Sequence, residues 1–412
     1  MVIAMNFNEA KDLLEKYGQL HILRFFNELT ERQKEILLSQ IEKVDFSFLN
    51  VLKSNGKLSQ RGKFEPLCAL EKEEIEKNRN EYESIGLTAL RKGKVAAVLL
   101  AGGQGTRLGF DKPKGMLNVG INKKLSLFEA HIKWLLHIKD LCGAYVPLYI
   151  MTSDIHHKDT VEFFEENNYF GYDKSYIDFF VQEMLPATDF DGKIFMKSKY
   201  EMALSPNGNG GWFLSMIKAG IADKMKAQGI EYLSAFSVDN VLQKINDPAF
   251  VGATILSGVD VGSKVVRRAN EREKVGVMCL EDGKPSIVEY YEVTEEMANL
   301  RDKNGNFAYD FGVILNYLFK FDRLLELNAN NMPFHMASKK IPHINENGEE
   351  VVPDEPNGYK FETLIIDTIH LMASCLPYEV EREKEFAPIK NMHGADSLDS
   401  ARELMKMNGM EV

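Results

Sequence analysis

The sequence predicts an α/β fold, a mixed, mainly parallel sheet with helices on both faces, and two observations carry that expectation. From Val95 onward, apolar β-branched runs such as VAAVLL and YVPLYIMTS alternate with amphipathic stretches such as SLFEAHIKWLLHIK. Strand and helix alternating in this way favour a parallel sheet with crossover helices. The 412 residues are 44% hydrophobic and 10% aromatic, enough to build substantial cores. The length suggests roughly two to three domains. Three regions are expected: a helical segment over 1–90, an α/β core over 91–332, and a short α+β extension over 333–412.

In the first region, Thr30 and Gln33 have the spacing of a capping box ahead of ERQKEILLSQIEKV, whose Ile36, Leu37 and Ile41 share one face. EKEEIEKNRNEYESIGLTALRKG continues the helical pattern, with its charges read as solvated surface. VAAVLL (95–100) is a buried strand. Ser126 with Glu129 then opens a helix over 126–139. YVPLYIMTS, DTVEFFEENN and YIDFFVQ read as strand, helix and strand. A helix follows over about 212–228, and IEYLSAFSVDN carries another strand. The span from Ala253 to Glu292 reads as β-rich and hairpin-like. Beyond Pro333 the chain is turn-rich, with Pro342, Pro353, Pro356 and Gly358, before a helix near TLIIDTIHLMAS. No internal repeat or low-complexity segment interrupts this order.

Lys and Arg total 50 against 61 Asp and Glu, a net charge of -11. That argues against general nucleic-acid binding, where a basic domain is expected, but it is compatible with a local cationic pocket. Cys68, Cys142, Cys279 and Cys375 lie far apart without a C-x-x-C pair, so neither a zinc site nor a disulfide framework is indicated. No basic and apolar leader opens the chain and no apolar run approaches the length of a membrane span. The expectation is a soluble, cytoplasmic protein with no membrane partner.

The strand VAAVLL runs into LLAGGQGTRLG, followed by Pro113, Lys114 and Gly115. Gly102, Gly103 and Gly105 allow successive backbone N–H groups to face one anion, and Arg107 and Lys114 bring positive charge. A P-loop would place Lys-Ser or Lys-Thr after the glycines, which this chain lacks. A dinucleotide fingerprint would start a helix on the glycines, where Pro113 and Gly115 would break one. SVDN (237–240) puts Asp239 at a strand end, where it is either a Mg2+ ligand or ordinary turn chemistry. SPNGNGGW (205–212) is a second glycine-rich loop, read with the first as two walls of a nucleotide pocket on one sheet. Gln182, just past a strand, has an amide able to pair with a base edge.

Taken in order, LLAGGQGTRLGFDKPKGMLNVG, FFVQEMLP, SPNGNGG, FSVDN, KVGVMCLEDG, IVEYYEV, KFETLIIDTIH and YEVEREKEFAPIKN resemble the family of UDP-N-acetylglucosamine and UDP-sugar pyrophosphorylases, over roughly residues 85–395. The resemblance implies a Rossmann-like nucleotidyltransferase core of the GT-A type over 91–332. It also implies uridylyl transfer from UTP to a sugar 1-phosphate, with Mg2+ and release of pyrophosphate. N-acetylglucosamine 1-phosphate is the expected sugar. Glucose 1-phosphate or a broad sugar range is the alternative.

By the same resemblance, Ala101, Gly102 and Gly103 contact the nucleotide, and Gln182 and Gly208 read uracil. Arg107, Lys114 and Lys390 engage phosphates, and Asp239 binds the metal. Asn209, Gly276, Glu289 and Asn316 face the sugar. The chain departs from the family at that end. Val313 stands where a Gly-Asn-Ile stretch has Asn, Leu364 and Ile366 replace aromatics, and Asn207 replaces a common Asp. Because 22 residues follow Lys390, the C-terminal β-domain of larger eukaryotic relatives is expected to be missing. A monomer is the favoured oligomeric state. Two rival readings are a nicotinamide-dependent dehydrogenase and a silent UDP-sugar-binding regulator. The strand after the glycines ends in Thr152 and Ser153 before Asp154, a poor match to the dehydrogenase pattern. Arg107, Lys114, Asp239 and Lys390 together argue for an active enzyme.

Overall fold

The computed structural model describes residues 5–53, 61–327 and 332–410. The chain folds into two compact units, each assembled from three separated stretches. One comprises Met1–Arg61, Glu183–Gly211 and Met332–Leu364, the other Gly62–Gln182, Trp212–Asn331 and Ile365–Val412.

In the first unit, helix α1 (Phe7–Lys16) starts at a reciprocal capping box between Asn6 and Glu9. Helix α2 (Glu31–Lys43) starts at the Thr30–Gln33 box read from the sequence. Their inward residues Leu14, Leu37 and Ile41 pack with Phe46, Phe48, Met202 and Phe361, so the core draws on all three stretches. Phe48 meets Phe361 edge-on at 4.8 Å between ring centroids. The strand Leu204–Pro206, which leads into SPNGNGG, pairs antiparallel with Met184–Pro186. The second glycine-rich loop therefore leaves a two-stranded ladder of this unit, not the large sheet as expected.

The second unit is built on a ten-stranded sheet. Its strands are β1 (Phe64–Pro66), β2 (Val95–Leu100), β3 (Leu148–Thr152), β4 (Ile177–Val181), β5 (Tyr232–Ser237), β6 (Val261–Arg267), β7 (Val277–Glu281), β8 (Lys284–Val288), β9 (Phe311–Lys320) and β10 (Cys375–Glu379). Along the main path the order is β1-β7-β9-β5-β2-β3-β4; β6 pairs with β9 and β10, and β8 with β7. The run β5-β2-β3-β4 is parallel, as is β6 with β10. The pairs of β9 with β5, β6 and β7, and of β7 with β1 and β8, are antiparallel. The sheet is therefore mixed, and the parallel arrangement read from the sequence holds for one side of it. Of these antiparallel pairs only β7 and β8 are joined by a tight turn; the others bring together strands far apart in the sequence. Asp282 and Gly283, both at positive φ, close the β7–β8 hairpin.

All six residues of β2 are buried. Val95, Ala97 and Leu99 join one core, with α3 (Lys72–Arg91), α4 (Leu127–Cys142), α5 (His157–Glu166), α8 (Pro248–Ser257) and α10 (Leu398–Met407). Ala96, Val98 and Leu100 join the opposite core, with α6 (Trp212–Lys218), α7 (Ile221–Gln228) and α9 (Ile365–His370). Helices thus cover both faces, which is why β2 and β3 are buried at every position rather than alternating.

Two element expectations need correction. The single helix over 212–228 is two, α6 and α7, because Gly220 adopts φ +73° between them. Residues 253–257 are the end of α8 rather than strand. Asp247 caps that helix and Pro248 occupies its first turn, signals that outweigh the β-branched content. Among the described residues no helix is long and apolar enough to cross a membrane.

Candidate functional site

Strands β2 and β5 lie side by side and parallel, with Leu100 opposite Ser237. The first glycine-rich loop and the SVDN turn therefore leave the sheet from the same edge, at strand carboxyl ends, the usual ligand position in such sheets. Ala101 still bonds to the sheet, its N–H donating to the Met151 carbonyl at 2.9 Å. Gly102 lies against Gln182, whose own N–H donates to the Thr152 carbonyl at 2.8 Å. A Cβ on Gly102 would collide with Gln182 Oε1, so only glycine lets the backbone and this amide approach so closely. Gly103 faces open space. The chain then forms a small hairpin between Gln104–Gly105 and Phe110–Pro113. Arg107 lies exposed in the turn between them.

Beyond Pro113 a short 3-10 turn, Lys114–Met116, carries Lys114 back to the SVDN turn. Lys114 Nζ donates to Asp239 Oδ2 at 3.1 Å, and the Ser237 hydroxyl donates to Asp239 Oδ1 at 2.6 Å. The two charged side chains are 13% and 21% exposed, so the pair is far from a surface salt bridge. Burial works against ionisation of Asp239. Lys114, the Ser237 hydroxyl and the charge of Lys390 outweigh it and hold the carboxyl below its ordinary range.

Lys390 reaches this place from the far end of the chain. The Ile389 N–H donates to the Asp239 carbonyl at 3.0 Å. Asn240 clamps the same segment, its Nδ2 donating to the Glu385 carbonyl and its Oδ1 accepting from the Ala387 N–H, both at 2.8 Å. Lys390 Nζ contacts Asp396 Oδ2 at 2.9 Å. The structure thus brings Lys114, Asp239 and Lys390 together, with Gly102 and Gln182 at the carboxyl ends of β2 and β4 in the same parallel run.

Gly276 and Glu289 are also neighbours. A Cβ on Gly276 would sit 3.5 Å from both Glu289 Oε2 and Val313 Cγ2. Asn316 is set apart from them. It pairs with Phe236 across β9 and β5 and is fully buried on the face of the α4 core, whereas Val313 packs on the opposite face. Side chains three positions apart on a strand point to opposite faces, which separates Asn316 from the Gly276–Glu289 pair. Neither amide atom of Asn316 has a hydrogen-bond partner.

Gly208 and Asn209 belong to the first unit. Gly208 has φ +83°, and a Cβ there would run into the Thr363 carbonyl, so the position requires glycine. Thr363 fastens the loop: its N–H and hydroxyl donate to the Asn207 carbonyl at 2.7 and 3.1 Å, and its carbonyl accepts from Gly210 N–H at 2.9 Å.

Three residues not singled out from the sequence support the turn. Ser237 and Asn240 flank Asp239, and the Ser-x-Asp spacing of a local side-chain turn was the available signal. His131, on α4, is buried with Nε2 3.0 Å from the Val238 carbonyl. A carbonyl can only accept, so Nε2 carries the proton. Burial depresses the imidazole to about 4, against smaller raising effects from Val238 and Asp239. Nothing in the sequence near His131 indicates that role.

The parallel run of a mixed sheet, with a glycine loop, two lysines and a carboxylate gathered at its strand ends, defines a phosphate-handling α/β protein. Comparison with known proteins narrows this. Residues 47–411 match the family model described as UTP–glucose-1-phosphate uridylyltransferase, and the chain belongs to that family. It is 36% identical to the UDP-N-acetylglucosamine pyrophosphorylase of Saccharomyces cerevisiae, over 94% of this chain and 86% of that protein. It is 35% identical to the human UDP-N-acetylhexosamine pyrophosphorylase-like protein 1, over 96% and 82%. The crystal structure of the uridine diphosphate N-acetylglucosamine pyrophosphorylase from Trypanosoma brucei in complex with inhibitor is similar to it, with a TM-score of 0.83 and 27% identity, over 98% of this chain and 85% of that one.

Proposed function

We propose that this protein is a uridylyltransferase that converts UTP and N-acetylglucosamine 1-phosphate to the UDP-sugar and pyrophosphate. The observation that carries this is the meeting of Lys114, Asp239 and Lys390 at the ends of β2 and β5, in a chain of this family. A sugar-phosphate oxygen attacks the α-phosphorus, forming the new P–O bond as the bond to the β-phosphate oxygen breaks and pyrophosphate leaves. Little covalent chemistry is asked of the protein, so positioning and charge neutralisation dominate. Lys114 and Arg107 are assigned to the triphosphate and to the charge that develops on it. Lys390 is assigned to the phosphate shared by nucleotide and sugar.

Ala101, Gly102 and Gly103 would offer backbone groups to the nucleotide, and Gln182 and Gly208 would read the uracil. Asn209, Gly276 and Glu289 would face the sugar, with the Glu289 carboxylate accepting from its hydroxyls. The burial of Asn316 gives no support to its having that role. Four parallel strands, with Gly102, Gln182 and Asp239 just past the carboxyl ends of three of them, support a Rossmann-like sheet of the GT-A type. We further propose that the enzyme is cytoplasmic and monomeric.

The donor set suits Mg2+, which commonly binds through one or two carboxylates plus substrate phosphates. Asp239 is the carboxylate available here, and among the described residues no cluster of three or more His, Cys, Asp or Glu forms an all-protein cage. When bound, the ion would neutralise phosphate charge and favour departure of pyrophosphate. A coupled pyrophosphate assay with UTP, run against the 1-phosphates of N-acetylglucosamine, N-acetylgalactosamine, glucose and galactose with and without EDTA, tests the reading. Release that needs UTP, one of these sugars and a divalent ion supports it. UDP-sugar binding without turnover on any of them would favour a silent binding protein.

A further inference from the structure

Lys264, on β6, is fully buried. Its ammonium has three N–H donors and three acceptors: the Lys244 carbonyl at 3.1 Å, Asp247 Oδ2 at 3.1 Å and Glu385 Oε2 at 2.6 Å. The charge also lies 5.5 Å from the centre of the Phe250 ring. Burying one cation with two carboxylates is costly, and packed apolar side chains in the same volume commonly give equal or better stability. Such a cluster calls for a reason other than stability.

The reason lies in where its acceptors sit in the chain. Lys244 and Asp247 follow Asp239 by five and eight residues, and Asp247 caps α8. Glu385 precedes Lys390 by five residues. The segment between Glu385 and Lys390 has no regular structure of its own. It is held by the Asn240 clamp, by the Ile389 bond to Asp239, and at its start by the Glu385 carboxylate. One ammonium therefore fixes both the turn that carries Asp239 and the segment that carries Lys390.

We propose that Lys264, acting through Glu385 and Asp247, is a positioning residue that sets Lys390 against Asp239 for phosphate binding. This rests on the uridylyltransferase reading. Lys264 touches no substrate; it fixes the distance between two groups that do. A displacement of about 1 Å in such a group can lower rate by about 10²-fold.

The test is a double-mutant cycle between Glu385 and Lys390, read as kcat/KM for pyrophosphate release, with thermal melting of each variant. Glu385→Gln keeps the shape of the side chain and removes its charge. It should lower kcat/KM by up to about 10²-fold in the wild-type background and have no further effect once Lys390→Ala is present, because there is then no lysine to position. Glu385→Asp keeps the charge and should recover part of the loss. If Glu385→Gln melts too low to assay, Glu385→Asp carries the same cycle. Equal losses in both backgrounds, or wild-type kinetics in Glu385→Gln, overturn the proposal while leaving the uridylyltransferase reading intact. A wild-type protein without pyrophosphate release, or full turnover in Lys390→Ala, overturns that reading and the proposal with it.

Discussion

Replacing Lys114 by methionine removes one charge and keeps most of the side-chain volume. At 3.1 Å from Asp239 Oδ2, its ammonium attracts the carboxylate by about 5 kcal/mol at an effective dielectric constant near 20. Most of that is offset by the desolvation of two largely buried ions, so the net loss of stability should be about 1–3 kcal/mol. The direction with pH can also be stated. Asp239 has a depressed carboxyl, and such a group contributes stability above its unfolded pKa and loses it as pH falls through the folded one. Without Lys114 the folded value rises, so the contribution shrinks and disappears at higher pH. Activity should suffer more than stability. Loss of a preorganised cation facing developing phosphate charge costs about 10²–10³-fold in kcat, by analogy with loss of one oxyanion donor. Urea denaturation between pH 3 and 8, alongside the coupled pyrophosphate assay, measures both effects. A folded Lys114→Met protein with wild-type kcat/KM would refute the role given to this lysine.

Gly102→Ala would push the Gln182 amide out of place; loss of one hydrogen bond to the base should raise KM for UTP about tenfold, and an unchanged KM would remove Gln182 from the uracil site. Gly208→Ala forces an L side chain to φ +83° against the Thr363 carbonyl, which should cost at least about 1–2 kcal/mol in a urea melt; unaltered stability would mean that the 205–211 loop adjusts. His131 falls from 6.5 to about 4 on folding, so the unfolded state binds more protons between those values and stability drops as pH falls through that window. The full contribution is about 3 kcal/mol, and His131→Phe should remove that part of the acid sensitivity in denaturation curves taken at pH 4 and pH 7.

The features readable in the sequence are those fixed by neighbours in the chain. Six consecutive apolar residues mark β2, and the Thr30–Gln33 box and the Ser126 cap mark helix starts, since capping needs only residues three apart. Gly102, Lys114 and Asp239 stand out because their motifs are local. What stayed hidden depends on long-range pairing. The antiparallel side of the sheet hangs on β9, whose partners lie on three different strands. Asn316 reads as a polar residue near the sugar motif, yet its position on β9 turns it into the opposite core. Lys390 carries no local signal at all. Its place is set by Asn240 and Asp239, about 150 residues earlier in the chain.

The interleaving of the two units bears on how this chain is made. A ribosome releases it from the N-terminus, yet the first unit lacks Phe361 of its core until the stretch Met332–Leu364 has emerged. The sheet of the second unit lacks β10 until residue 379. Neither unit can close while most of the chain is still being synthesised, so α1, α2 and the exposed apolar edge of β2 wait together in an unfinished state. Domains whose segments are contiguous can fold one after another during synthesis. This chain is obliged to fold late, because the segment carrying Lys390 can meet Asp239 only after about 150 further residues have been made.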